Sequence, residues 1–385
     1  MTTLAHGTRK SLEAASERKP LRPTAARVRR IVLVGLGNIG SQAADLIARM
    51  GVAEITLIDQ GTYESKNVAG QAIEQADVGR AKVDVTAGRL RRINPGLVIR
   101  PIHAKLQDVP LGRLRADVML CGLDSRLARS CANQAARRLG MTLIDAGVEP
   151  SQLLARVNVH RSDPDCSCIQ CGWSDEDYNL IESPNPCKPE DAAPSTNAPA
   201  ALGALAASMT AIELKKLMDG DHAAGRQITY CALTHKLFVT AIGVNRQCRC
   251  EHDPWRIVGL RQSPARLTLG QALRQGQALS VPGKTFARAL VCSACGARRE
   301  LLRLERRLTR RQLTCSRCGA AMVAPGFDQL DRLDAAWPGP SSPWLRRPLA
   351  ALGIVEGDVL RLSTSQGDRH LQVGAAANSR EVLHA

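Results

Sequence analysis

Aromatic residues make up only 3% of this 385-residue chain. A surface that stacks the bases of single-stranded nucleic acid needs a series of rings, so the composition speaks against that role. Long apolar runs are also missing. The longest, within residues 198–217, is alanine-rich, broken by Ser208 and Thr210, and ends on Glu213, Lys215 and Lys216. It reads as a core helix and not as a membrane span. The first residues are polar and basic, with no apolar stretch of the signal-peptide kind. A soluble, cytoplasmic protein with no membrane partner is therefore expected. Acidic residues are in deficit, 36 against 52 Lys and Arg, for a net charge of +16. The excess is confined to the flanks: residues 1–30 carry +6, residues 253–385 carry +10, and residues 31–252 are neutral. Basic flanks suit an acidic partner, protein or nucleic acid, or are a solvated arginine-rich surface. Cysteine is plentiful, with thirteen residues. A reducing compartment excludes a disulfide set, and clustering in C-x-x-C pairs points to metal.

The organising stretch is residues 31–40, IVLVGLGNIG. An apolar strand runs into Gly35, Gly37 and Gly40 in Gly-x-Gly-x-x-Gly spacing. A helix is expected over 41–51, then a strand ending in Asp59 about twenty residues beyond the glycines. Glycines at the first two positions permit a tight turn and close approach to a nucleotide, and the third lets helix and strand pack. Helix N–H groups then face phosphate or ribose, and Asp59 can accept ribose hydroxyls. The motif leaves NAD, FAD and ATP open.

Strands and helices continue to alternate. A helix is expected over 77–92, a strand from Leu97 to His103, and an apolar strand ending in Asp124. The next helix is SRLARSCANQAARRLG, followed by the strand MTLIDAG. This is an α/β pattern with a doubly wound, Rossmann-like sheet. Residues 151–160 and 228–244 are expected to extend it in antiparallel fashion. Residues 1–26 read as a flexible basic arm, 27–252 as a nucleotide-binding domain, and 253–289 as a linker or appendage. Residues 290–323 read as a zinc ribbon, 324–344 as a linker, and 345–385 as a small β-rich unit.

Residues 28–250 resemble the ThiF/MoeB/HesA family, bacterial relatives of the E1 enzymes that activate ubiquitin. The resemblance is carried by GLGNIG with Asn38, IDQGTYESKN with Asp59 and Asn67, and Gln71. It continues through GRAKVD with Lys82, RINP, GLDSRLARSCAN with Asp124, Arg129 and Asn133, and the paired cysteines. It implies an enzyme that binds Mg-ATP and adenylates the C-terminal carboxylate of a ubiquitin-like or sulfur-carrier protein. Gly35, Gly37, Asn38, Gly40, Asp59, Asn67, Gln71, Lys82 and Asp124 would bind nucleotide. Lys82, Asp124 and Arg129 would be catalytic, with Lys82 facing the α-phosphate and Asp124 holding Mg²⁺. That chemistry brings two anions together, so cations and metal are needed where charge develops. One departure is specific: the family's N-x-x-R-Q reads Asn67-Val68-Ala69-Gly70-Gln71 here. The missing arginine charge would have to come from Arg27, Arg29 or Arg30 of the basic arm, or from a partner subunit.

Two metal sites are expected. Cys168-x-x-Cys171 with Cys248-x-Cys250 is, by the resemblance, a structural zinc site, with Cys166 or His252 able to replace one ligand. Cys292-x-x-Cys295 and Cys315-x-x-Cys318 carry zinc-ribbon spacing on their own account. Cys187, in the polar loop PNPCKPED, is a candidate thioester nucleophile by resemblance to thioester-forming relatives. Lys188 beside it would favour thiolate.

The reading that follows is an E1-like adenylyltransferase using ATP, Mg²⁺ and two Zn²⁺. Its expected partners are a carrier protein, an E2-like conjugating protein, and a second subunit in a homodimer or heterodimer. Three alternatives stay open: a catalytically weak, nucleotide-binding scaffold subunit; a nicotinamide or flavin oxidoreductase; and a zinc-ribbon regulator that binds nucleic acid.

Overall fold

The structure, a computed structural model, describes residues 28–182, 198–220, 224–274, 276–334 and 337–374. Its first part is built on β1 (Arg30–Val34), α1 (Asn38–Ala48), β2 (Glu54–Asp59), α2 (Lys82–Ile93), β3 (Val98–His103), β4 (Val118–Cys121), α3 (Arg126–Arg138) and β5 (Thr142–Glu149). The five strands are parallel, in the order β3-β2-β1-β4-β5. β1 and β4 are buried along nearly their whole length, which is why they read as unbroken apolar runs. Parallel strands need crossovers, and here they place helices on both faces. Ile47, Leu90 and Leu214 belong to the core on one face, and Met119, Ala132 and Leu143 to the core on the other.

β6 (Leu154–His160), α4 (Asp175–Glu182), α5 (Ala200–Met218), β7 (Arg226–Cys231) and β8 (Lys236–Ala241) follow. β6, β7 and β8 add to β5 in antiparallel register, completing an eight-stranded sheet. α5 crosses α1 so closely that a Cβ on Gly203 would lie 1.8 Å from Asn38 Oδ1. Among the described residues no helix is long and apolar enough to cross a membrane.

α2 starts at Lys82, five residues later than the sequence pattern suggests. Gly79 adopts φ +85°, a left-handed turn that breaks the helical path. Thr62 then bridges to Ala81. Lys82 is thereby the first residue of the helix, at the helix start where the phosphate-facing role needs it.

The C-terminal part departs most from the sequence reading. β9 (Ile257–Leu260), α6 (Leu269–Leu273) and β10 (Ala278–Ser280) come from residues read as a linker or appendage. β11 (Phe286–Cys292), β12 (Arg298–Leu304) and β13 (Met322–Val323) form an antiparallel hairpin with a third strand. β14 (Gln329–Leu330) and β15 (Leu333–Asp334) arise where a second linker was expected, before β16 (Val359–Thr364) and β17 (Gly367–Val373). A five-stranded sheet runs β15-β10-β16-β17-β9, with β9 parallel to β17 across more than a hundred residues of sequence. Leu269, Leu279, Leu302, Leu360 and Val373 share one core. Short strands with a single apolar face carry little periodicity, so the segments look like linkers until their distant partners are in place.

This part is mounted on the sheet edge where β4 begins and α3 ends. Gly112 N–H donates to Gly357 O at 2.8 Å, Trp255 N–H to Arg138 O at 2.9 Å, and Arg307 Nη2 to Asp108 O at 2.8 Å. Lys284 and Asp358 pair at 2.7 Å, both buried, at the same junction.

Candidate nucleotide site and cysteine clusters

The carboxyl ends of β1, β2 and β4 open at one sheet edge, where ligands of such sheets bind. Gly35 has φ +85°, and a Cβ there would meet Gly122 O at 2.8 Å; one on Gly40 would lie 1.8 Å from Gly35 O. Both are fixed by the chain's own packing. Gly37 has nothing within 4 Å of its Cβ position, so its open side faces free space, as a nucleotide cradle requires. Asp59 Oδ2 accepts from Leu36 N–H at 2.7 Å and Oδ1 from Gly61 N–H at 2.7 Å. The carboxylate thereby staples the glycine turn, and its remaining lone pairs are available to ribose hydroxyls. Lys82 passes Gly61 and lies with Nζ 5.4 Å above the buried Tyr63 ring. Burial pushes the Tyr63 hydroxyl up from its ordinary pKa, so it stays neutral beneath the lysine. Asp124 is exposed between the end of β4 and Ser125, whose Oγ caps α3 by accepting from Ala128 N–H at 3.1 Å.

The other expected residues have more local duties. Asn38 donates to Ala198 O at 3.0 Å and binds α1 to the entry of α5. Asn67 Oδ1 accepts from Glu64 N–H at 2.8 Å, shaping the polar turn. Gln71 Oε1 is buried without a hydrogen-bond partner, an acceptor left unsatisfied beside the cradle. Arg129 donates to Asp145, to Leu123 O and, at 3.2 Å, to Ala146 O. It holds the backbone just before Asp124. Asn133, expected beneath the same site, instead donates to Cys250 Sγ at 3.2 Å.

Arg29 and Arg30 stand at the start of β1, about 17 Å along the strand from Gly35 at 3.3 Å per residue. They occupy the edge opposite the cradle and do not supply the charge missing at Gly70. Arg27 and Cys187 lie outside the described residues. Arg89 was not anticipated. It pairs with Asp45 at 2.7 Å and donates to Ser41 O at 2.7 Å and to Ala72 O, tying α2 to α1 and to the loop after Gln71. Its partners come from separate segments, so no sequence spacing announces it.

The first cysteine cluster gathers Cys168, Cys171, Cys248 and His252, with ligand atoms all within 4.8 Å of one another. His252 completes the group within mutual reach, while Cys250, expected as the fourth ligand, lies beside Cys168 and Asn133. Cys250 Sγ accepts from Asn133 at 3.2 Å, and the imidazole reaches Cys171 Sγ, 3.4 Å from Nε2. Hydrogen bonds with Cys171, Cys248 and Cys250 hold the Cys168 thiol well below its ordinary pKa. Cys166 lies apart, beside Asp163. Three thiols and one imidazole are a donor set suited to zinc.

The second cluster is Cys292, Cys295, Cys315 and Cys318. Two matching turns present it. Cys292 N–H donates to Ala297 O at 2.9 Å and Cys315 N–H to Ala320 O at 2.8 Å, while Gly296 (φ +68°) and Gly319 (φ +76°) close the turns. Left-handed glycines explain why each pair is followed by glycine. Backbone N–H groups of Cys295 and Ala294 lower the Cys292 thiol to about 6. Four thiols in tetrahedral reach again fit zinc.

Compared with known proteins, residues 21–252 match the ThiF family. The chain is 26% identical to the SAMP-activating enzyme E1 of Haloferax volcanii over 224 residues, 57% of this chain and 78% of that one. It is 26% identical to the molybdopterin-synthase adenylyltransferase of Escherichia coli over 211 residues, 53% of this chain and 80% of that one. A crystal structure of E. coli MccB with ATP is 22% identical, covers 57% of this chain and 65% of the other, and superposes with a TM-score of 0.47.

Proposed function

This chain belongs to the ThiF family, and from that membership we propose that it is an ATP-dependent, E1-like adenylyltransferase acting on the C-terminal carboxylate of a ubiquitin-like or sulfur-carrier protein. The observation that carries the reading is the convergence of the glycine turn, Asp59, Lys82 and Asp124 at one sheet edge. Its relatives include an enzyme that activates SAMP and an adenylyltransferase of molybdopterin synthase. With ATP as substrate, the activity belongs in the cytoplasm.

In this reading the cradle N–H groups and Asp59 orient the nucleotide. Lys82 places a point charge against the α-phosphate as the carrier carboxylate attacks phosphorus and pyrophosphate departs. Arg129 keeps the Asp124 backbone in place. Asp124, an exposed carboxylate beside the phosphate position, would hold Mg²⁺, which takes one or two carboxylates together with phosphate oxygens and offsets their charge. The zinc set Cys168, Cys171, Cys248 and His252 would pin the antiparallel extension to α3. The four cysteines of the second cluster would make residues 290–323 a zinc ribbon.

Gly70 supports a second reading, a subunit that depends on a partner for its phosphate-facing arginine. The position has room: the nearest atoms to its Cβ site are Ala198 O at 3.7 Å and Asn38 Nδ2 at 3.9 Å. A homodimer or heterodimer is proposed on this ground, and an E2-like acceptor would follow if Cys187 forms a thioester.

Carrier-dependent exchange of labelled pyrophosphate into ATP tests the proposal. Exchange in the wild type that disappears in Asp124→Ala supports adenylation. Absence of exchange with every carrier, beside intact ATP binding, favours the dependent subunit. A dithiothreitol-sensitive carrier adduct lost in Cys187→Ala would establish the thioester.

A further inference from the structure

Arg138 ends α3 with its guanidinium 4.6 Å above the ring of Trp255. Trp255 stacks in turn on His370 at 3.9 Å and 10°, so the layer joins the nucleotide-binding part to the C-terminal sheet. Neighbouring arginines are neutralised. Arg361 pairs with Asp368 at 2.5 Å and lies 3.7 Å from Glu251; Arg249 reaches Asp175 at 3.7 Å and covers Tyr178. Arg138 differs. Among the described residues no carboxylate lies within ion-pair distance of it, and its Nε is buried without an acceptor. Its burial lowers its pKa, with Glu251 acting in the opposite sense. A half-buried guanidinium met only by the Trp255 ring and, beyond ion-pair distance, by Glu251 still has charge to offer an anion.

A polar cleft of about 560 Å³ opens over this arginine, lined by Gln134, Arg138, Arg249, Glu251 and Arg361 together with Cys248 and Cys250. Glu251 is the sole acid in the lining, and it is shared with Arg361. The cleft lies where α3 ends, away from the glycine turn at the start of the same sheet layer, so it is separate from the nucleotide cradle.

We propose that this cleft is a second binding site, one that takes a phosphate group through Arg138 with the Gln134 amide beside it. A guanidinium presents paired donors to an oxyanion, and the incoming charge completes the pairing that Arg138 lacks. The volume falls within the range of small-molecule pockets, so the phosphate can be free or esterified to a small metabolite. Because the site bridges α3 and the C-terminal sheet, its occupancy also stiffens the junction between them.

The test is thermal unfolding of the full chain with inorganic phosphate, sulfate or glycerol 3-phosphate, with no nucleotide present. Inorganic phosphate is expected to raise Tm by roughly 2–4 °C in the wild type and to have no effect on Arg138→Gln. Gln134→Glu keeps the test independent of that variant's folding. It places a carboxylate one helical turn before Arg138, which should raise Tm without phosphate and abolish the phosphate response. Glycerol 3-phosphate binding tenfold tighter than inorganic phosphate would assign an esterified ligand; equal affinity would assign free phosphate. No rise with any of the three anions, or a rise that persists in Gln134→Glu, would overturn the proposal. Neither result bears on adenylation, which pyrophosphate exchange reads separately.

Discussion

Asp59 Oδ2 accepts the backbone N–H of Leu36 at 2.7 Å although 23 positions separate them. The acid at the end of β2 thus shapes the turn at the end of β1, before any ligand arrives. Asp59→Ala removes this bond and the one to Gly61. Charge-assisted bonds of this kind contribute about 2 kcal/mol, so ATP affinity is expected to fall roughly thirtyfold by calorimetry. Asp59→Asn, which retains one acceptor, should fall less. Equal ATP affinity in Asp59→Ala and the wild type would remove the acid from the site.

Gly70→Arg restores the side chain that the family pattern carries. The backbone there is not left-handed, and the Cβ position is clear to 3.7 Å. Carrier-dependent pyrophosphate exchange is expected to rise about tenfold or more, the scale of one added transition-state cation. A rate no greater than that of the wild type would mean that charge is already supplied by another route.

His252 and Cys250 separate the two ligand assignments for the first cluster. Purified wild-type protein should contain two zinc ions per chain. His252→Ala should lose one by elemental analysis, while Cys250→Ser should keep both, because His252 and not Cys250 belongs to the group in mutual reach. Cys292→Ser should lose the other ion without loss of ATP binding, since the second cluster lies outside the nucleotide-binding part. Retention of both ions in His252→Ala would return the assignment to Cys250.

His370 predicts a pH dependence. Its burial against Trp255, with Arg361 nearby, lowers its pKa from the ordinary 6.5 to about 4. The folded state therefore holds this imidazole neutral where the unfolded chain already binds a proton. Its contribution is fully present above pH 6.5 and is lost as pH falls from 6.5 towards 4. His370→Gln should flatten that part of the Tm–pH curve relative to the wild type. An unchanged slope would show that other groups carry the acid sensitivity.

The sequence by itself determined the nucleotide-binding half. The glycine spacing, the buried parallel strands and Asp59 are local signals, because each strand and turn is specified within about thirty residues of chain. The second cluster is legible for the same reason: each Cys-x-x-Cys-Gly unit builds its own turn. Tertiary structure decided the rest. His252 joined the first cluster because packing brings it to Cys171, eighty-one residues away. Arg29 and Arg30 were removed from the site because a strand has two ends and only one faces the cradle. Residues 257–260 became a strand only through parallel pairing with residues 370–373, a contact of high sequence separation that leaves no periodic trace. The unpaired guanidinium of Arg138 exists only where α3 meets the C-terminal sheet. Sequence reports what neighbours along the chain require; which distant charges meet, and which meet none, is fixed by packing.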